Sequence, residues 1–148
     1  MLITRETDYA MRILRALSGG EQMTAQAISD LHQVPKPFAY KIIKKLSKAG
    51  LVSIARGAEG GCMLSADLHQ ITLYDLMEAV EEDFRVIACM EPDYDCTWRD
   101  ANGECTVHCE LAELQRQLDQ ALRARTLHSL IFGRDLLPED AAASARTI

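Results

Sequence analysis

Residues 35–66 read "PKPFAYKIIKKLSKAGLVSIARGAEGGCMLSA". The first half has helical spacing, with Phe38, Ile42, Ile43 and Leu46 forming one apolar stripe. Pro37 suits a first helical turn, where its missing N–H forfeits no bond. Gly50 suits the left-handed stop that ends a helix. Lys41, Lys44, Lys45 and Lys48 lie away from the stripe and are expected to share an outward face. After Gly50 the period changes: "LVSIAR" and "GCMLSA" predict two short strands, joined as a hairpin by the glycine-rich turn "GAEGG".

Upstream, Thr4 is a cap for a helix over 5–18 that turns Ala10, Ile13, Leu14 and Leu17 inward, and Gly19-Gly20 stops it. A second, short helix begins after Thr24 in "TAQAISDLHQV" and is expected to bury Ala27, Ile28 and Leu31. Helix, short helix, basic helix and hairpin is the order of a winged helix-turn-helix, a mainly α fold with a small β-hairpin wing. Downstream, Thr72 with Asp75 opens "LYDLMEAVEE", which buries Leu73, Leu76, Met77 and Val80. The chain therefore divides into a winged helix-turn-helix over 1–82, a cysteine-rich loop over 83–105, a long C-terminal dimerisation helix over 106–132, and a disordered tail over 133–148. The loop assignment rests on Pro92, Gly103, six acids and the lack of any period over 83–104. The long helix rests on Leu111, Leu114, Leu118, Leu122, Leu127, Leu130 and Ile131.

The chain has 148 residues, 48% of them hydrophobic, enough for one small domain with an appended helix. It has no apolar run long enough to span a bilayer. Its charged, amphipathic start lacks a signal-peptide layout, which predicts a cytoplasmic protein. No Ser/His/Asp set, phosphate loop or paired carboxylates suggests an enzyme.

A net charge of −6 hides a sharp asymmetry. Between Leu31 and Ala58 stand six basic residues and no acid; between Glu59 and Glu113 stand fourteen acids against Arg85 and Arg99. A local basic face on an acidic body points to DNA rather than to general nucleic-acid binding. A helix fits the major groove, and its cations release counterions from phosphates. Tyr40 and Lys41 lie early in the basic helix, where base edges are met, with Lys36 and Lys44 nearer the DNA backbone. Arg56, at the hairpin tip, is placed to enter a narrow minor groove. The plain alternatives are solvated lysines and an Arg56–Glu59 ion pair.

Four of the five cysteines fall in "CMEPDYDCTWRDANGECTVHC", residues 89–109. In a reducing compartment such clustering argues for metal or redox chemistry rather than disulfides. Paired C-x2-C knuckles, the usual structural zinc signature, are absent. The wide, irregular spacing of Cys89, Cys96 and Cys105 better suits an iron–sulfur cluster, either two-iron or four-iron. His108 and Cys109 are rival fourth ligands, each on one helical face with Cys105. Trp98 would shield the cluster or simply pack, and Cys62, in the second strand, is expected to be a small core residue.

These residues resemble the IscR/NsrR-type winged-helix regulators of the Rrf-two family. The likeness is carried by "LITRETDYAMRIL", "FAYKIIKKLSKAGLVSIARGAEGGCMLS", "ITLYDLMEAVE" and the cysteine segment leading into the long helix, over about residues 1–132. The resemblance implies a homodimer crossing through the helix from Leu111 to Ile131, and palindromic operators on double-stranded DNA. It implies an iron–sulfur cluster on Cys89, Cys96 and Cys105. The fourth ligand would be His108 as in one branch, or Asp8 of the partner subunit as in another. Here the cysteine spacings are longer than in either branch and Cys109 is extra, so a Cys109-ligated, all-thiolate cluster is a third option. The expected function is a transcriptional regulator, a repressor, whose operator binding follows iron, redox state or nitric oxide. Two other readings stay open: a regulator with a zinc or thiol-based site, and an iron–sulfur electron carrier or scaffold.

Overall fold

The computed structural model describes residues 3–57, 60–91 and 93–133. Seven helices and one hairpin follow in order among them: α1 (Arg5–Leu17), α2 (Ala25–His32), α3 (Lys36–Lys48), β1 (Val52–Ala55), β2 (Gly61–Leu64), α4 (Leu73–Val80), α5 (Thr97–Asn102), α6 (Thr106–Arg123) and α7 (Leu127–Phe132). The two strands pair antiparallel, with Val52 opposite Leu64 and Ala55 opposite Gly61. This is the winged helix-turn-helix expected from the sequence.

The caps act as read. Thr4 Oγ1 accepts from the Glu6 N–H at 3.0 Å, and Thr24 Oγ1 from the Ala27 N–H at 3.1 Å. Thr72 and Asp75 form a reciprocal capping box. Gly50, at φ 78°, ends α3 in the left-handed region. Gly61 is required for another reason: a Cβ there would lie 2.7 Å from the Met23 carbonyl. That closeness lets Met23 and Cys62 exchange backbone hydrogen bonds of 3.0 and 2.8 Å, which lock the wing to the start of α2.

One core unites α1, α2, α3, the wing, α4 and α7. Ile13, Leu14, Leu17, Ile28, Ile42, Leu46, Leu76, Val80 and Leu127 have no exposed surface. A smaller cluster of Leu73, Met77 and Leu122, with Tyr74, Phe84 and Leu118 against it, docks α6 on α4. Cys62 is buried as expected, its thiol donating to the Met23 carbonyl at 3.3 Å and pushed up in pKa by that burial.

Some expectations are corrected. Leu31, expected in the core, is 70% exposed, and Ala27 is only partly covered, so α2 buries Ile28 alone. Phe38, counted in the apolar stripe, is 41% exposed and meets Tyr9 edge-on at 5.6 Å. The segment 83–104 is not all loop. It holds a 3-10 turn at Ala88–Met90 and the short α5, both too brief to show a period and neither burying a residue. The long helix is broken after Arg123. Backbone groups of residues 125–128 pair with the segment before α4 instead: Leu73 N–H with Arg125 O at 2.8 Å, Leu127 N–H with Ile71 O at 2.8 Å, and His128 N–H with Leu68 O at 2.9 Å. Thr126 then caps α7. The tail expectation, from residue 134 onward, lies outside the described residues.

Leu127 anchors this break, so Leu127→Ala should cost about 2–5 kcal/mol. Urea unfolding measures it; a loss below 1 kcal/mol, by the ~0.5 kcal/mol typical of surface sites, would mean that α7 is not seated in the core.

Candidate nucleic-acid interface and cysteine site

Helix α3 turns Ala39, Ile42, Ile43 and Leu46 inward, which divides its polar residues between two flanks. On one flank Tyr40 and Lys44, with Ile43 beneath them, border a groove of about 540 Å³ whose far wall is the wing: Ile54, Ala55, Arg56, Gly57 and Gly60. Thr24 and Ala25 at the start of α2 close its end. The groove thus collects Tyr40, Lys44 and Arg56 from the expected DNA-contacting set. Among the described residues Lys36, Lys44 and Arg56 enter no ion pair; Glu59, the alternative partner of Arg56, lies outside them.

The other flank departs from the expectation. Lys41 and Lys45 do not share the outward face of Lys44. They grip the two oxygens of Glu6 on α1, Lys41 Nζ at 2.5 Å from Oε1 and Lys45 Nζ at 2.6 Å from Oε2. The lysine hydrogen bonds, Lys41 first, hold the Glu6 carboxyl below the usual carboxylate range, and Glu6 raises the Lys41 ammonium in turn. Lys45 Nζ also donates to the Val80 carbonyl at the end of α4. Next to it, Glu81 Oε1 accepts from Thr4 N–H (3.3 Å), Thr4 Oγ1 (2.8 Å) and the fully buried Thr7 Oγ1. Sequence reading missed Glu6 because its partners lie 35 and 39 positions away, beyond any local pattern.

The cysteine segment starts from that same end of α4. Val86 N–H donates to Gln115 Oε1 at 2.7 Å, and Arg85 pairs with Glu91. These bonds lay the 3-10 turn against α6. Cys89 Sγ lies 3.3 Å from His108 Nδ1, and Cys105, at the N-cap of α6, accepts from the His108 N–H at 3.4 Å. Cys89 and His108 face a cleft of about 430 Å³ shared with Arg85, Tyr94 and Arg99, none of which the sequence had suggested. Cys96 stands at the N-cap of α5, and Cys109 is exposed. Trp98 is 54% exposed. Asp8 pairs with Arg12 at 3.0 Å, one turn along α1.

The structure therefore sets the Cys89 thiol against the His108 imidazole, with Cys105 one turn before it at the N-cap of α6. Thiolates with an imidazole suit a soft or borderline metal. Among the described residues no three His, Cys, Asp or Glu side chains converge on a point one ion could occupy.

Comparison with known proteins decides the family. A family model described as an iron-dependent transcriptional regulator, Rrf2, matches residues 3–132. The chain belongs to the Rrf2 family. Among its Rrf2 relatives, the HTH-type transcriptional regulator NsrR of Bacillus subtilis is 29% identical over 127 residues, covering 84% of this chain and 81% of NsrR. The HTH-type transcriptional regulator IscR of Vibrio parahaemolyticus is 26% identical over 140 residues, covering 93% and 81%. The solved structure of CymR, described as the global cysteine regulator of B. subtilis, superposes with a TM-score of 0.63 at 21% identity, over 90% of this chain and 98% of that one. This Rrf2 chain is thus a DNA-binding transcriptional regulator and not an enzyme. Among its described residues no helix is long and apolar enough to cross a membrane.

Lys44→Ala and Arg56→Ala should each flatten the dependence of log affinity on log salt by about 0.9 for duplex DNA. Lys45→Ala should instead lower the thermal midpoint, since its ammonium holds Glu6 and Val80. Fluorescence anisotropy across a KCl series and thermal melting separate the two effects.

Proposed function

We propose that this regulator is a repressor whose operator binding is set by an iron–sulfur cluster carried between its reading head and α6. The observation that carries the reading is the Cys89 thiol 3.3 Å from the His108 imidazole, which sets a donor of the 3-10 turn against the first turn of α6, where Cys105 is the N-cap. Cys89, Cys96 and Cys105 would hold the cluster with His108 as fourth ligand, in preference to Cys109 or Asp8 of the partner subunit. When bound, the cluster would supply an iron-, redox- or nitric-oxide-responsive tie. Binding Cys96 together with the other donors would order residues 83–105. These residues are continuous with the Glu81 contacts on α1, so their order would bear on the seat of the reading head.

The reading also includes a homodimer on palindromic DNA. Val107, Leu111, Leu114 and Leu118 recur at coiled-coil spacing on α6, and Val107 and Leu114 are 63% and 52% exposed in the single chain. A second α6 would cover them and set the separation of the two α3 helices, which must reach successive major grooves about one helical turn apart.

Anaerobically purified protein should contain iron and acid-labile sulfide and show a broad visible absorption band from sulfide-to-iron charge transfer. Cys89→Ala and Cys105→Ala should abolish that band. Stoichiometric zinc without sulfide would sink the cluster reading; an unchanged band in Cys89→Ala would sink the ligand assignment. In sedimentation, Leu114→Glu should convert a dimer to a monomer. A variant that stays dimeric would place the interface elsewhere.

A further inference from the structure

Glu6 is an anion already paired with the basic helix, on the flank beside the groove-facing one. Both its oxygens are taken, one by Lys41 and one by Lys45, from consecutive turns of α3. The two lysines differ in what else holds them. Lys45 is mostly covered and has the Val80 carbonyl as a second acceptor. Lys41 is 53% exposed, and among the described residues Glu6 is its sole partner. The Glu82 carboxylate adds its field on the same side. A carboxylate and a DNA phosphate offer an ammonium the same chemistry: two anionic oxygens able to accept hydrogen bonds.

We propose that Glu6 is an intramolecular competitor of DNA phosphate for Lys41, and that it sets the strength and the salt dependence of DNA binding. The inference rests on the reading of α3 and the wing as the DNA-contacting face. The Glu6 carboxylate stays held when Lys41 leaves, because Lys45 keeps its other oxygen at 2.6 Å, and its backbone lies in the first turn of a capped helix. Its N–H is held by Thr4 Oγ1 at 3.0 Å, and Thr4 and Thr7 are held by Glu81. For Lys41 to reach a phosphate, its own side chain must leave. Counterion release at the interface then comes mainly from Lys36, Lys44 and Arg56, and Lys41 contributes a reduced share.

A fluorescein-labelled duplex of random sequence, titrated with the full chain over a KCl series, tests this. Glu6→Gln should bind about two- to fivefold tighter at low salt, the range set by exposed ion pairs. Its log–log salt slope should steepen by at least half of the ~0.9 that one full phosphate contact contributes. Both gains should vanish in Glu6→Gln/Lys41→Ala, as a pairwise coupling requires. Equal or weaker binding by Glu6→Gln overturns the proposal. So does a gain that survives without Lys41, which would mark a general field effect. Should Glu6→Gln fail to fold by thermal melting, the comparison moves to native Glu6: Lys41→Ala should flatten the slope by less than half as much as Lys44→Ala, and equal losses refute the competition. If Lys44→Ala and Arg56→Ala leave the slope untouched, the DNA-contacting face itself is misplaced and both readings fall.

Discussion

Burial of the inner face of α3 against α1 is the constraint on which the rest of the molecule depends. Ile42 and Leu46 meet Ile13, Leu14 and Leu17 with no surface left to water. Each such side chain contributes about 1.5–3 kcal/mol of transfer free energy. Once that face is seated, the helix cannot rotate, because turning it by one residue would expose apolar groups and bury lysines. The fixed rotation decides which cations look outward, toward the wing, and which look sideways, toward Glu6.

The same seating ties two regions that lie far apart in sequence. The end of α4 is held to α1 through Glu81 with Thr4 and Thr7, and to α3 through Lys45 on the Val80 carbonyl. The cysteine-bearing segment departs from that point and returns at the N-cap of α6. Charged hydrogen bonds of this kind, partly shielded from water, are individually stronger than neutral ones. They give the segment a rigid base at one end and α6 at the other.

Much of this was legible in the sequence, because it is local. Caps at Thr4, Thr24 and Thr72, the glycine stop after α3 and the hairpin between Arg56 and Gly61 are all short-range patterns, and each is seen where expected or within a residue or two. The miss at Leu31 shows the limit of periodicity, which marks an apolar side chain without saying whether anything lies against it. The break in the C-terminal helix was illegible for a related reason. Residues 106–131 keep helical spacing, and only the carbonyls and N–H groups of the segment before α4 draw residues 125–128 away from it.

The sequence by itself determined the order of elements from α1 to α4, the family, and the presence of thiols in one short stretch. Tertiary structure alone decided that Lys41 and Lys45 face Glu6 while Lys44 and Arg56 face a common groove. It alone decided that the Cys89 thiol lies against the His108 imidazole, nineteen positions along the chain. The physical reason is the same in both cases. Charge and thiol chemistry act over a few ångströms, and which groups come that close is set by how helices are rotated when their apolar faces are buried, not by their separation along the chain.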